Sequence, residues 1–226
     1  VNSKTTFDVK TVKQFVSRGG EKLKGALTSF SYDMTGKNVV DAGASTGGFS
    51  DCALQEGALH VSAIDVGYGQ LAWKLRNDKR VSVFERLNIR EAQVGEVGGP
   101  FDVAIADLSF IPLGRVLPAL IELVKPEGDF IILVKPQFEA AQSEIGPKGV
   151  VCGLETHSRI LSEVLQDFQK FGLSIADVTF SPIKGPEGNI EFWIYAQKKP
   201  SEQHSAQGDL QKRAHEVVSL AYKVLG

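Results

Sequence analysis

An alternation of short apolar runs with amphipathic stretches, sustained from residue 37 to residue 172, constrains this chain more than any other feature. Lys37–Asp41, His60–Asp65 and Val81–Phe84 read as strands. Phe101–Asp107 and Asp129–Lys135 are the clearest, being rich in β-branched or aromatic residues and closing on a charged side chain. Helical stretches intervene at Phe49–Gln55, Gln70–Arg76, Leu113–Val124 and Thr156–Phe171. In the last of these, Ile160, Leu161, Val164, Leu165 and Phe168 form one apolar stripe, and Gly172 follows as a C-cap. Strands separated by helices pair in parallel through right-handed crossovers. Past Gly172 the rhythm changes. Leu173–Pro182 and Asn189–Gln197 are strand-like runs joined only by Ile183–Gly188, too short a link for a helix, which predicts an antiparallel hairpin. The expected fold class is α/β: a Rossmann-like, seven-stranded, mostly parallel sheet with an antiparallel C-terminal hairpin strand.

The flanks carry less pattern. In residues 1–36, Val12, Phe15, Val16, Leu23, Ala26 and Leu27 predict one or two short helices broken near Gly19-Gly20. Lys198–Gly208 is polar and expected to be mobile. Asp209–Leu225 places Leu210, Ala214, Val217, Val218, Ala221 and Leu225 at helical spacing, a face that should dock on the body. A chain of 226 residues suits one domain with extensions. Its apolar runs fall far short of the roughly 20 residues needed to span a bilayer. Cys52 and Cys152 cannot build a disulfide framework or a zinc site alone. The expectation is a cytoplasmic, metal-free protein. The formal charge of −2 argues against a generic nucleic-acid coat, yet it combines +4 over residues 1–30 with −6 over the rest. A basic leader points to an anionic partner at that end, or simply to a solvated helix face.

Asp41–Ser50 (DAGASTGGFS) lies between a predicted strand and a predicted helix, where a doubly wound sheet meets nucleotide-like ligands. Read from Gly43, the stretch is G-A-S-T-G-G, with Ser45 where a dinucleotide fingerprint needs its second glycine, which counts against NAD. No Gly-Lys-Ser/Thr follows, so it is not a P-loop. Asp41 would repel a phosphate and suit a cationic ligand such as S-adenosylmethionine. Asp65 closes the next strand 24 residues on, near the roughly 20-residue spacing of ribose-binding acids. A glycine-rich strand–helix turn that binds nothing remains the competing reading of the loop alone.

The strand ends offer more candidates. Asp107 and Lys135 should project at the carboxyl edge of the sheet, on the cofactor side. A lysine that ends an apolar strand is costly unless paired or used. Strand alternation puts Ile190, Phe192 and Ile194 on one face and Glu191, Trp193 and Tyr195 on the other. Lys22 stands in the basic leader. Taken singly, each of Lys22, Asp107, Lys135 and Glu191 also fits an ordinary surface or turn role.

Together with the leader VSRGGEKL (16–23), the loop 41–49, AIDVGYGQLAW (63–73), ADLSF (106–110), LVKPQFE (133–139) and GPEGNIEF (185–192), these residues resemble a family. It is the TlyA group of ribosomal RNA ribose 2′-O-methyltransferases, often labelled haemolysins, within the wider FtsJ/RrmJ-like class. The likeness covers about residues 15–195. It implies an S-adenosylmethionine-dependent methyltransferase fold, with S-adenosyl-L-methionine as cofactor and ribosomal RNA or ribosomal subunits as partner. It implies a Lys-Asp-Lys-Glu tetrad at Lys22, Asp107, Lys135 and Glu191. In that tetrad Lys135 would act as base, Asp107 and Glu191 would orient, and Lys22 would hold the adjacent phosphate or ribose. It implies that Asp41, Gly43, Ser45, Gly47, Gly48 and Phe49 line the cofactor loop, with Asp65, Val66, Asn88 and Asp107 completing the cofactor site. No metal is required. The layout expected is a basic linker or helical segment at 1–36, the methyltransferase domain at 37–200, and a tail and helix at 201–226. The group usually opens with a small S4-like RNA-binding domain, expected upstream of residue 1, and without that domain RNA affinity is expected to be weak. A monomer is favoured, with no membrane association.

Three other readings compete. An amino-methylating base enzyme would carry Asn/Asp-Pro-Pro-aromatic where Asp107-Leu-Ser-Phe110 stands, and neither cysteine sits in the Pro-Cys of a C5 enzyme. A membrane-active haemolysin lacks any spanning or dominant basic amphipathic segment. A non-catalytic cofactor-binding module sits poorly with an intact tetrad. Tyr68 and Trp73 are expected to wall the cofactor or join the core, His157 and His215 to be surface or packing residues, and Glu144–Gly153 to form a loop able to act as a lid.

Overall fold

The structure is a computed structural model that describes residues 14–199 and 207–226. In chain order its elements are α1 (Gly19–Ser29), β1 (Asn38–Ala42), α2 (Gly48–Gln55), β2 (His60–Asp65), α3 (Trp73–Arg76), β3 (Val81–Glu85), α4 (Val94–Val97), β4 (Phe101–Ala106), α5 (Leu117–Leu123), β5 (Val124–Val134), α6 (Pro136–Glu139), α7 (Leu154–Lys170), β6 (Ser174–Phe180), β7 (Phe192–Gln197) and α8 (Gln207–Leu225). The seven strands form one sheet in the order β3-β2-β1-β4-β5-β7-β6. β1 to β5 run parallel, and β7 is antiparallel to both β5 and β6. The expected α/β sheet and C-terminal hairpin are both present.

Helices cover both faces, which is why β1, β4 and β5 read as nearly continuous apolar runs rather than as alternating ones. Alternate strand residues still go to different layers. Val40, Ala104, Ile132, Phe192 and Ile194 pack with α5, α7 and α8. Val39, Val103, Ile131, Leu133 and Trp193 pack with α1, α2 and Leu75 of α3. The apolar stripe read over residues 160–168 is on α7, which packs against α8, whose Leu210, Ala214, Val218 and Ala221 are buried.

Several expectations change. Gly19-Gly20 begins a helix rather than breaking one, because Gly20 lets the Phe15 ring lie on the first turn: a β-carbon there would stand 2.2 Å from it. The Gln70–Arg76 helix shrinks to Trp73–Arg76, since Gln70 turns to the Ser45 hydroxyl. Tyr68 and Trp73 are 68% and 78% exposed rather than part of a wall or core: Leu71 and Leu75 take the buried positions, and the Arg86 guanidinium covers the Tyr68 ring at 4.2 Å. His157 is buried beside Phe192 and Tyr222, while His215 is exposed. The Glu144–Gly153 loop is tied down. Asn189 accepts from the Val151 amide and donates to the Gly149 carbonyl, and Arg159 pairs with Glu144. The readings of Val12 and of most of Lys198–Gly208 fall outside the described residues. Among the described residues, no helix is long and apolar enough to cross a membrane.

Candidate active site

The sheet order brings the chemistry together. β4, β5 and β7 are neighbours, so the residues at their ends on the carboxyl edge of the parallel strands stand side by side. Asp107 follows β4 and Lys135 follows β5. Val134 is opposite Phe192, so Glu191, just before β7, adjoins Lys135. Lys22 comes from α1, which is held by the leader: the Val16 amide donates to Asp51 of α2.

The four side chains form two ion pairs. Lys135 Nζ lies 2.5 Å from Asp107 Oδ1 and also donates to Ser109 Oγ at 3.0 Å. Lys22 Nζ lies 2.5 Å from Glu191 Oε2, and these two side chains are only 6% and 1% exposed. Burial pushes the Glu191 carboxyl up despite the opposing pull of Lys22; Asp107 adds to the rise, while Lys135 counters it. All four charges therefore act on one another.

On the cofactor side, Gly43 takes φ +82°, and a β-carbon there would stand 2.6 Å from the Asp107 carbonyl oxygen. The backbone after β1 thus lies against the backbone after β4, and only glycine fits. Beyond it opens a cavity of about 460 Å³, walled by Gly43, Ser45, Asp65, Val66, Asn88 and Asp107 together with Ile64, Leu87, Ile89 and Leu108. Asp65 accepts from the Ser45 amide at 2.8 Å and the Gly67 amide at 2.6 Å, stitching two loops while each oxygen keeps a further lone pair. Asn88 Oδ1 accepts from the Arg90 amide at 3.1 Å, and Val66 is 70% exposed at the rim. A flat apolar slot with carboxylates at its polar end fits an adenosine ring system and a cationic tail.

Three cofactor candidates stand further back than the sequence implied. Asp41 is fully buried and absent from the cavity wall: its Oδ2 accepts from Ser50 Oγ at 2.6 Å, its Oδ1 has no hydrogen-bond partner, and burial pushes its carboxyl up to about 7. It supports the loop from beneath through Ser50. Gly47 faces Leu71 and Leu75, and Phe49 is buried with its ring 5.3 Å from that of Trp193.

A second opening of about 550 Å³ is lined by Ser17, Arg18, Lys22, Thr46, Gly48, Phe49 and Pro186. Gly43, Ser45 and Asp107 belong to the walls of both spaces. Asp107 therefore stands where a cofactor and a second, anionic reactant would meet.

Sequence reasoning missed Ser109, Phe110 and Glu139. Phe110 is 90% exposed, with φ +64°, and its ring is 4.9 Å from that of Phe138. Only its place in the ADLSF stretch hinted at it; the left-handed backbone that turns the ring outward left no mark on the residue type.

A seven-stranded sheet of this order, with a glycine loop after β1 and acids near the ends of β1, β2 and β4, defines an S-adenosylmethionine-dependent methyltransferase. A methyltransferase of that class from Listeria monocytogenes shares the fold with a TM-score of 0.59 at 18% identity, over 80% of this chain and 98% of that one. The FtsJ-like methyltransferase family matches residues 15–198. The 16S/23S rRNA (cytidine-2′-O)-methyltransferase TlyA of Mycobacterium tuberculosis is 44% identical over 92% of this chain and 77% of its own length. A structure from Streptococcus thermophilus under a hemolysin label superposes with a TM-score of 0.87 at 40% identity, covering 96% of this chain and 77% of that one. The chain belongs to the FtsJ-like methyltransferase family, in its TlyA group, and S-adenosylmethionine is its cofactor.

Proposed function

We propose that this chain transfers a methyl group to a ribose 2′-hydroxyl of ribosomal RNA, at a cytidine, in the cytoplasm. The observation that carries the reading is Asp107, which lies on the wall shared by the cofactor cavity and the cationic cleft and is paired there with Lys135. The cytidine is taken from the name of the Mycobacterium tuberculosis relative.

The cofactor supplies the methyl group and a sulfonium charge. Gly43, Ser45, Asp65, Val66 and Asn88 hold it, with Asp41 and Phe49 bracing the loop. A ribose hydroxyl is a poor nucleophile whose proton must leave as the new bond forms. Lys135, as the neutral amine, takes that proton and becomes the ammonium that pairs with Asp107. The Asp107 carboxylate fixes where the amine points. Ser109 restricts it further. Glu191 is too deeply buried to touch the substrate and acts by holding Lys22. Lys22 and Arg18 give the cleft the charge that a ribose–phosphate backbone needs. Because attack must be in line, holding hydroxyl and methyl together supplies much of the rate. Residues 37–200 act as the methyltransferase domain, with 1–36 and 201–226 as flanking segments, and the protein works as a monomer.

Incubation of ribosomal RNA or subunits with methyl-labelled cofactor, followed by digestion to nucleosides, tests this. Label in 2′-O-methylcytidine is expected. Label on a base, or none on any ribosomal RNA, would overturn it.

A further inference from the structure

One buried chemical group of the site region has no part in the reaction as described: the carboxylate of Glu139, at the end of the LVKPQFE stretch. Its Oε1 accepts a hydrogen bond from the Leu113 amide at 2.8 Å. Leu113 lies 26 residues earlier, at the far end of the segment that begins with Asp107. The segments 107–113 and 135–139 run alongside each other and touch at four points. Lys135 pairs with Asp107, Lys135 donates to Ser109, Phe138 packs on Phe110, and Glu139 accepts from Leu113. The first three contacts involve groups at the reacting centre or its rim. The fourth is remote from it and closes the far end.

We infer that Glu139 is a positioning residue for methyl transfer: by reach rather than by charge, it fastens the segment that carries Asp107, Ser109 and Phe110 to the one that carries Lys135. The inference rests on the proposed function of that site. The Leu113 amide opens a short 3-10 turn and has no partner of its own there, so without Glu139 a buried donor is left unpaired. The segment would then be pinned to 135–139 only by the exposed Phe110–Phe138 ring contact and by Lys135, the side chain that must be free to take a proton. Burial, reinforced by Asp167, pushes the Glu139 carboxyl up to about 7. A group held near half-protonation at neutral pH is poorly suited to supply a fixed charge, yet its carbonyl oxygen accepts in either state.

Three variants separate reach from charge. Glu139→Gln keeps the length and an acceptor oxygen and removes the charge. Glu139→Asp keeps the charge and draws the oxygen back by one methylene. Glu139→Ala removes both. With ribosomal RNA and methyl-labelled cofactor, Glu139→Asp and Glu139→Ala are expected to lower kcat on the order of 10- to 100-fold, as for a misplaced reacting group, with KM for RNA and cofactor affinity changed less than about threefold. Glu139→Gln is expected to stay within about threefold of wild type in kcat. If Glu139→Ala does not fold, the Asp and Gln pair decides. An active Asp variant beside an inactive Gln variant would overturn the inference, since charge would then be what matters. So would wild-type kcat in both the Asp and Ala variants. Either result leaves the reading of the site intact as long as the wild type methylates ribose, whereas a wild type without transfer to ribosomal RNA would remove that reading first.

Discussion

The buried pair of Lys22 and Glu191 makes the sharpest separable prediction, because its roles in stability and in activity come apart. At 2.5 Å and an effective dielectric constant near 20, the gross attraction is about 7 kcal/mol. Against it stands a desolvation cost of several kcal/mol for each ion. The upward displacement of the Glu191 carboxyl, with Lys22 already pulling it down, indicates that desolvation is the larger influence on that group. The pair therefore contributes little net stability, but either member alone is left as a buried, uncompensated charge. Lys22→Met and Glu191→Leu should each cost about 3–5 kcal/mol. For a protein of this size that lowers the melting temperature by roughly 10 °C. The double variant should recover most of the loss, because well-packed apolar replacements of a buried ion pair are often neutral. Urea unfolding of the four proteins gives the cycle, and methyl transfer to ribosomal RNA gives the second readout. The double variant should be stable and inactive. A loss under about 1 kcal/mol in both single variants, or a double variant no more stable than either single one, would refute the burial argument. An active double variant would refute the role of Lys22.

Other consequences are more local. Gly43→Ala places a methyl where the Asp107 carbonyl already stands and forces a left-handed backbone on alanine, so it should cost about 1–3 kcal/mol and weaken cofactor binding by at least tenfold in calorimetry. Phe110→Ala should leave the urea midpoint within experimental error, because the ring is 90% exposed, while weakening cofactor binding and slowing transfer to RNA, because Phe110 also lines the cofactor cavity. The Glu139 carboxyl is raised from 4.5 to about 7, so the fold favours its protonated form. Its contribution to stability is full below about pH 4.5 and is lost as pH rises through 7, a change of up to about 3 kcal/mol. Glu139→Gln cannot titrate, so its stability relative to wild type should rise between pH 5 and pH 8; a constant difference would count against the shifted carboxyl.

Much of this was legible in the residues. The alternation of apolar runs gave the parallel sheet, and the short link at Ile183–Gly188 gave the hairpin. The tetrad came from resemblance, since no spacing rule connects Lys22 to Glu191. What brings them together is the insertion of β7 between β5 and β6, a topological fact that local periodicity does not encode. Tyr68 and Trp73 were misplaced because aromatic residues are usually buried, whereas here Leu71 and Leu75 already fill the space under the loop. The charge of Asp41 suits a cation, but the chain turns into the cavity only at Gly43, a change of direction that residue types do not encode. Glu139 escaped notice because its partner is a backbone amide 26 residues away, and a hydrogen bond to backbone has no sequence signature.

The central claim is that Lys135, paired with the Asp107 that stands at the junction of two cavities, takes the proton from a ribose hydroxyl. Single-turnover transfer from labelled S-adenosylmethionine to ribosomal RNA by Lys135→Ala, with cofactor affinity measured in parallel, tests it most directly. The account predicts a loss of at least about 1,000-fold in the transfer step, in the range of lost general-base catalysis and positioning, with cofactor binding within a few-fold of wild type. Transfer by Lys135→Ala at a rate close to that of the wild type, with label still on the ribose, would contradict it.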